Sequence, residues 1–336
     1  MSYRIGSFNV MNLSFAKRTK RNLDLLAEII SEYDIIAFQE VLSEGKLLKD
    51  LTGKATGYAE AVENSLKSRL GNDEWDMEWL NPETNSKWYP YIGKDARGEG
   101  YAFMWRKKKF SCPIKENGVV VRPRIIHQYK VDQSRGELRL IRDPAYGRFQ
   151  LVDMPNTEIR LITTHIVFGK PDGEHLSKII DYGASTMRKN EFNILARSIY
   201  TSVSDNRNET QSIVPYTIIL GDYNLNLSGS GAGSPCVPSV ALISPGKELL
   251  EYTTQQLDNG CYVLYTQQEE LSTVNGNGDD YKSNYDHFTF DERTLKSIVR
   301  GNPHRLDIIE KAGGLKKYKE EVSDHIPIVI ELDLKK

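Results

Sequence analysis

Three observations predict an α/β fold for this chain of 336 residues. Short β-like runs alternate with stretches whose apolar residues fall at helical spacing. A composition of 39% apolar, 27% charged and 10% aromatic residues supports a sizeable core and excludes disorder, collagen and coiled coil. No stretch approaches the roughly 18 consecutive apolar residues that a membrane-spanning helix needs.

The elements follow in order. Arg4 to Asn9 alternates as a strand, Thr19 to Tyr33 carries Leu23, Leu26, Ile29, Ile30 and Tyr33 at helical spacing, and Ile35 to Phe38 is a short buried strand. Helices are predicted over Tyr58 to Leu70 and Met187 to Val203. Further strands are predicted at Tyr101 to Arg106, Val119 to Arg122, Gly147 to Val152, Ile159 to Thr164, Tyr216 to Leu220, Tyr285 to Phe290 and Ile326 to Leu332. Two irregular stretches, 228–238 and 275–284, read as flexible surface loop insertions. The length corresponds to about two domains by size alone, but neither loop makes an interdomain linker and no repeat is present, so one domain over 1–336 is expected.

Lys and Arg number 44 against 46 Asp and Glu, a net charge of -2. That balance gives no long-range pull on a polyanion, so any nucleic acid must be held by a local basic face. Candidates are Lys17, Arg18, Lys20 and Arg21 after the first strand, and Lys316, Lys317 and Lys319 before the last motif. Cys112, Cys236 and Cys261 form no CxxC pair and read as buried free thiols. The start MSYRIGSFNV lacks a basic segment followed by a long apolar run, so a cytoplasmic location is expected.

Polar residues of recurring type sit where strands end: Ser7 and Asn9, Gln39 and Glu40, His165, Asp222 and Asn224, and Ser323, Asp324 and His325 before the last strand. Strand ends face the ligand crevice in α/β sheets. Glu40 and Asn9 supply hard oxygen donors, which suit Mg²⁺ or Mn²⁺ better than zinc. His165 and His325 are of the residue type suited to proton transfer near neutral pH. His127, His175, His287 and His304 read as solvent-exposed or structural.

The ordered set SFNVMN, FQE, TTHIVFG, GDYNLN, NYDHFTF and SDHIP resembles the endonuclease/exonuclease/phosphatase superfamily, within it most closely the deoxyribonuclease I-like branch. The resemblance implies a four-layer αββα sandwich of two packed mixed β-sheets flanked by helices. It also implies Mg²⁺-dependent phosphodiester hydrolysis, with DNA as the expected substrate. Glu40, Asn9 and Asp324 fall on metal positions; His165, Glu99, His325, Asp286, Asp222 and Asn224 fall on catalytic ones. Glu99 supports His165 and Asp286 supports His325 in this reading. Which His is base and which acid stays open, and Asp222 is a rival base. Arg148, Asn12 and Lys17 are weaker candidates for phosphate contact. Mn²⁺ could substitute for Mg²⁺, Ca²⁺ could fill a structural site, and a monomer without a protein partner is expected.

Met11 stands where the exonuclease III branch has an acid, and Asn226 where inositol 5-phosphatases have an Arg. The same fold also serves phosphoesterases acting on RNA, inositol phosphates or sphingolipid head groups. A catalytically silent scaffold is the alternative of a different class; it would have lost a metal carboxylate or a catalytic His, and none is missing.

Overall fold

A computed structural model describes residues 1–11, 13, 21–41, 48–49, 52–81, 100–126, 140, 142–166, 188, 191–205, 213–227, 256–258 and 260–335. Two sheets are present among them. The first contains β1 (Ser2–Asn9), β2 (Ile35–Val41), β3 (Trp75–Leu80), β4 (Gly100–Arg106), β13 (Val299–Arg305) and β14 (Ile328–Asp333), in the order β13-β14-β1-β2-β4-β3. The second is built from β5 (Phe110–Ser111), β6 (Arg124–Ile125), β7 (Ala145–Leu151), β8 (Thr157–His165), β9 (Val214–Asp222), β10 (Gln256–Asp258), β11 (Val263–Gln267) and β12 (Asp286–Asp291), in the order β10-β11-β12-β9-β8-β7-β5 with β6 on β7. Both are mixed: β1–β2 and β8–β9 are parallel, their neighbours antiparallel.

Alternation along each strand sorts side chains into three cores. Ile5, Ile35 and Phe103 of the first sheet meet Phe149, Leu161, Ile218 and Phe288 of the second between the sheets. On the outer face of the first sheet, Phe8, Ile36 and Met104 pack under α1 (Leu23–Ser31) and α2 (Gly57–Leu70). On the outer face of the second, Ile162 and Ile219 pack under a π-helical turn, Leu195–Ile199, that runs into α3 (Tyr200–Asp205). The result is the αββα sandwich that the motifs imply.

Several expectations are corrected. Val119 to Arg122 is no strand: Val120 makes one isolated bridge to Ile114, and Val119 and Val120 are exposed. β3 and β13 were not foreseen. β3 has acids between its tryptophans, and β13 carries Gly301 and Pro303, which a strand at the sheet edge tolerates. Cys112 is buried but Cys261 is exposed, and Cys236 lies outside the described residues. The 275–284 loop is pinned. Lys319 donates to the carbonyls of Asn275 and Gly276, and the Arg305 guanidinium stacks 3.8 Å over the Tyr281 ring. The other loop, 228–238, lies outside the described residues, and no described helix is long and apolar enough to cross a membrane.

Candidate active site

The ends of β1, β2, β8, β9 and β12 converge at one rim with the loop before β14. Parallel register sets His165 opposite Asp222, and antiparallel register sets Asp286 opposite Asp222. Gly221 makes this approach possible. Its φ is 142°, and a Cβ there would run into the Thr164 carbonyl oxygen. A register irregularity between Phe38 and Val41 interrupts β2 at Glu40, whose φ of 57° turns its carboxylate into the cluster. Met11 and Asn224 also hold left-handed backbone, at φ of 43° and 49°. Non-glycine residues in this region cost on the order of 1–3 kcal/mol each, and such strain concentrates at functional sites.

Asp222 is the hub. Its Oδ2 accepts from Asn9 Nδ2 at 3.1 Å and lies 3.4 Å from His165 Nε2 and 3.5 Å from His325 Nε2. Its Oδ1 accepts the Asn224 backbone N–H at 2.8 Å. His325 Nδ1–H donates to Asp286 Oδ2 at 2.8 Å, which fixes the tautomer. Ser272 Oγ donates to the same oxygen at 2.7 Å and accepts the backbone N–H groups of Tyr285 and Asp286. Burial opposes charge on His325, but Asp286, Asp222 and Asp324 outweigh it and hold its pKa well above the usual imidazole range.

Asn9, expected as a metal ligand, organises the carboxylates around it. Its Oδ1 accepts the Met11 N–H at 3.0 Å, which orients the amide, and its Nδ2 spans Glu40 Oε1 and Asp222 Oδ2 at 3.1 Å each. Its amide nitrogen thereby holds two carboxylates together. Asn224 donates its side-chain amide to the Ile166 carbonyl at 2.8 Å and steadies Asp222 through its backbone. Arg148 is corrected: its guanidinium forms a two-pronged bridge to buried Glu158, both contacts 2.9 Å, on the second sheet. Glu99, Asn12 and Lys17 lie outside the described residues.

Residues to which the sequence assigned no role complete the frame. Ser323 Oγ donates to the Asn9 carbonyl at 2.7 Å and accepts the His325 N–H at 3.1 Å, joining the first motif to the last. Gln39 Nε2 crosses between the sheets to Thr163 Oγ1 at 2.7 Å. Arg188 donates to the Asn224 carbonyl at 2.7 Å. Only spatial proximity reveals these partners; no spacing in the sequence announces them.

The residues fit a hard divalent cation. Glu40 and Asp324 are partly exposed carboxylates at the rim, and both act on the Arg21 guanidinium. Among the described residues no three His, Cys, Asp or Glu side chains surround one metal position; Mg²⁺ commonly takes one or two carboxylates and completes its shell with water and phosphate.

Two packed sheets between helices, with imidazoles and carboxylates gathered at one rim, define a phosphoester hydrolase of the αββα class. The model of the Endonuclease/Exonuclease/phosphatase family matches residues 6–307, and the chain belongs to that family. Among solved structures, ANGEL2, a 2',3'-cyclic phosphatase in complex with adenosine-2',3'-vanadate, is similar at 15% identity and TM-score 0.52, covering 99% of this chain and 96% of its own. A family protein from Leptotrichia buccalis gives 16% identity and TM-score 0.50 over 99% of this chain and 100% of its own. TDP2 from D. rerio, complexed with a single strand DNA product, gives 13% identity and TM-score 0.49, with 99% of each chain covered. No curated protein matches.

Proposed function

We propose that this protein is a metal-dependent phosphodiester hydrolase that cleaves DNA. The observation that carries the reading is the convergence of two imidazoles, His165 and His325, on one oxygen of Asp222, with His325 backed by Asp286. A phosphodiester repels hydroxide and gathers further charge in the transition state. Mg²⁺ bound by Glu40 and Asp324 would supply Lewis acidity toward a non-bridging oxygen.

The protein's own residues then divide the proton work. Asp222 Oδ2 accepts a proton from the attacking water, while Asn9 and the Asn224 backbone keep that carboxylate in place. His325, faced by carboxylates that favour its charged form, donates a proton to the leaving oxygen. The proton on Asp222 returns to His325 Nε2 across 3.5 Å, resetting both groups. His165, on the other side of the same oxygen, holds the phosphate. The four carboxylates, Glu40, Asp222, Asp286 and Asp324, outnumber the cations Arg21 and protonated His325, which favours a divalent cation at the rim.

The pinned 275–284 loop begins beside Asp324, where the Val274 N–H donates to the Asp324 carbonyl at 2.7 Å. A fixed wall there favours a small phosphoester as the second reading. A substrate panel separates the two: supercoiled and linear duplex DNA, single-stranded DNA, RNA and bis-p-nitrophenyl phosphate, each with Mg²⁺ and with EDTA. Cleavage of DNA abolished by EDTA and by Glu40→Ala supports the first reading; turnover of the small diester alone selects the second.

A further inference from the structure

Arg21 belongs to the basic run that the sequence offers for phosphate contact, but its surroundings give it different work. It precedes α1 and sits in a crevice lined by Val10, Leu13, Asn22, Leu26, Glu321 and Val322. One terminal nitrogen donates to the Met11 carbonyl and the other to the Val322 carbonyl. Met11 follows Asn9 in the first motif; Val322 precedes Ser323, Asp324 and His325 in the last. Asn22, the next residue, repeats the tie: its backbone N–H donates to the Glu321 carbonyl at 2.8 Å, and its Nδ2 to Glu321 Oε2 at 3.1 Å.

A guanidinium presents its donors in a rigid fork and stays charged under all ordinary conditions, so one side chain both fixes two backbones and places a permanent cation there. Burial lowers the Arg21 pKa from its ordinary value, and the carboxylates that oppose that shift are those of Asp324 and Glu40, the two assigned to the metal. The Arg21 Nε is buried with no hydrogen-bond partner among the described residues, so this placement carries a polar cost that a surface phosphate contact would not. With both terminal nitrogens engaged on backbone carbonyls, the side chain faces inward to the two loops.

We infer that Arg21 is a positioning residue that clamps the Asn9–Met11 loop to the 322–325 loop and sets a fixed positive charge beside Glu40 and Asp324. This inference rests on the metal-dependent reading above. The clamp fixes the loop that carries Asp324 against the loop that carries Asn9, whose amide holds Glu40, before any divalent cation arrives, and its charge partly offsets theirs. Removing it has two effects of opposite sign. The carboxylates gain net negative charge, which favours a cation, and the loops lose their alignment, which harms turnover.

The test compares wild type, Arg21→Gln and Arg21→Lys by three readouts: Mn²⁺ binding to the metal-free chain by electron paramagnetic resonance, melting temperature, and kcat on the best substrate of the panel at saturating Mg²⁺. Arg21→Gln is expected to bind Mn²⁺ about two- to fivefold more tightly, because affinity follows the charge of the ligand set, while kcat falls about 100-fold through misalignment. Arg21→Lys keeps the charge and loses the fork, so it is expected to bind Mn²⁺ as wild type does with kcat lowered about tenfold. A residue needed only for folding would lower melting temperature and Mn²⁺ affinity together. That pattern, or turnover of Arg21→Lys within about twofold of wild type, overturns the inference, and the lysine variant decides the matter if Arg21→Gln does not fold. A wild-type chain that binds no Mn²⁺ overturns the metal reading itself and the inference with it.

Discussion

Two buried histidines, His325 and His287, occupy chambers of opposite character on either side of the same stretch of β12. His325 is faced by Asp286, Asp222 and Asp324, and its pKa is pushed well above the ordinary value. His287, one residue after Asp286 and on the opposite face, has carbonyls at both ring nitrogens: Leu225 O lies 2.7 Å from Nε2 and Gln268 O 3.2 Å from Nδ1. Burial lowers its pKa to about 4 despite those acceptors. Burial therefore leaves a charged imidazole where several carboxylates and a direct Asp286 hydrogen bond oppose it, and a neutral one where carbonyls and the single Asp222 charge do. The charged ring is the one the proposed chemistry uses; the neutral ring holds the 222–226 loop against β12.

The strongest challenge to this contrast is His325→Ala, expected to lower kcat about 1,000-fold, the middle of the general acid–base range. His287→Phe should leave kcat closer to wild type than His325→Ala does; an equal loss from both would erase the distinction.

A second challenge uses acid. Between about pH 6.5 and 4 the unfolded chain takes up a proton that folded His287 refuses, so this residue makes stability fall as pH drops through that window and has no effect above it. The full contribution is about 3 kcal/mol. Denaturant melts from pH 7 to 4 should show a shallower acid limb in His287→Phe than in wild type, and identical limbs would contradict the neutral assignment.

Ser272→Ala sharpens the other chamber by removing one donor to the Asp286 oxygen that holds His325; about a tenfold fall in kcat is expected with little change in KM. The smallest effect concerns the thiols. Burial pushes the Cys112 pKa up to about 12, so iodoacetamide at pH 8 should label exposed Cys261 and leave Cys112 unmodified until the chain unfolds.

The sequence displayed the candidate cluster well because its members share a visible property: a polar residue of fixed type at the end of an apolar strand. Asn9, Glu40, His165, Asp222 and the residues before β14 could each be located that way. What they would do to one another could not be read. That Asn9 bridges two carboxylates depends on a Met11 N–H oriented by left-handed backbone. Ser272, Arg21 and Ser323 act across long sequence separations through ordinary hydrogen bonds, with no periodicity to betray them. Among the strands, β13 escaped because Gly301 and Pro303 mask an edge position, and Val119 to Arg122 misled because β-branched residues also populate exposed hairpins.

The pairing of β1 with β14 has a kinetic consequence. Ser2 faces Asp333 and Ser7 faces Ile328, so an inner strand of the first sheet receives one neighbour from the far end of the chain. During synthesis β1 and β2 emerge early, yet the open edge of β1 stays unpaired until the final strand leaves the ribosome. Contacts of such separation slow folding and leave an adhesive edge exposed in the interval. His325 arrives just ahead of that same strand, so the proposed site stays incomplete until the segment leading into β14 has been made.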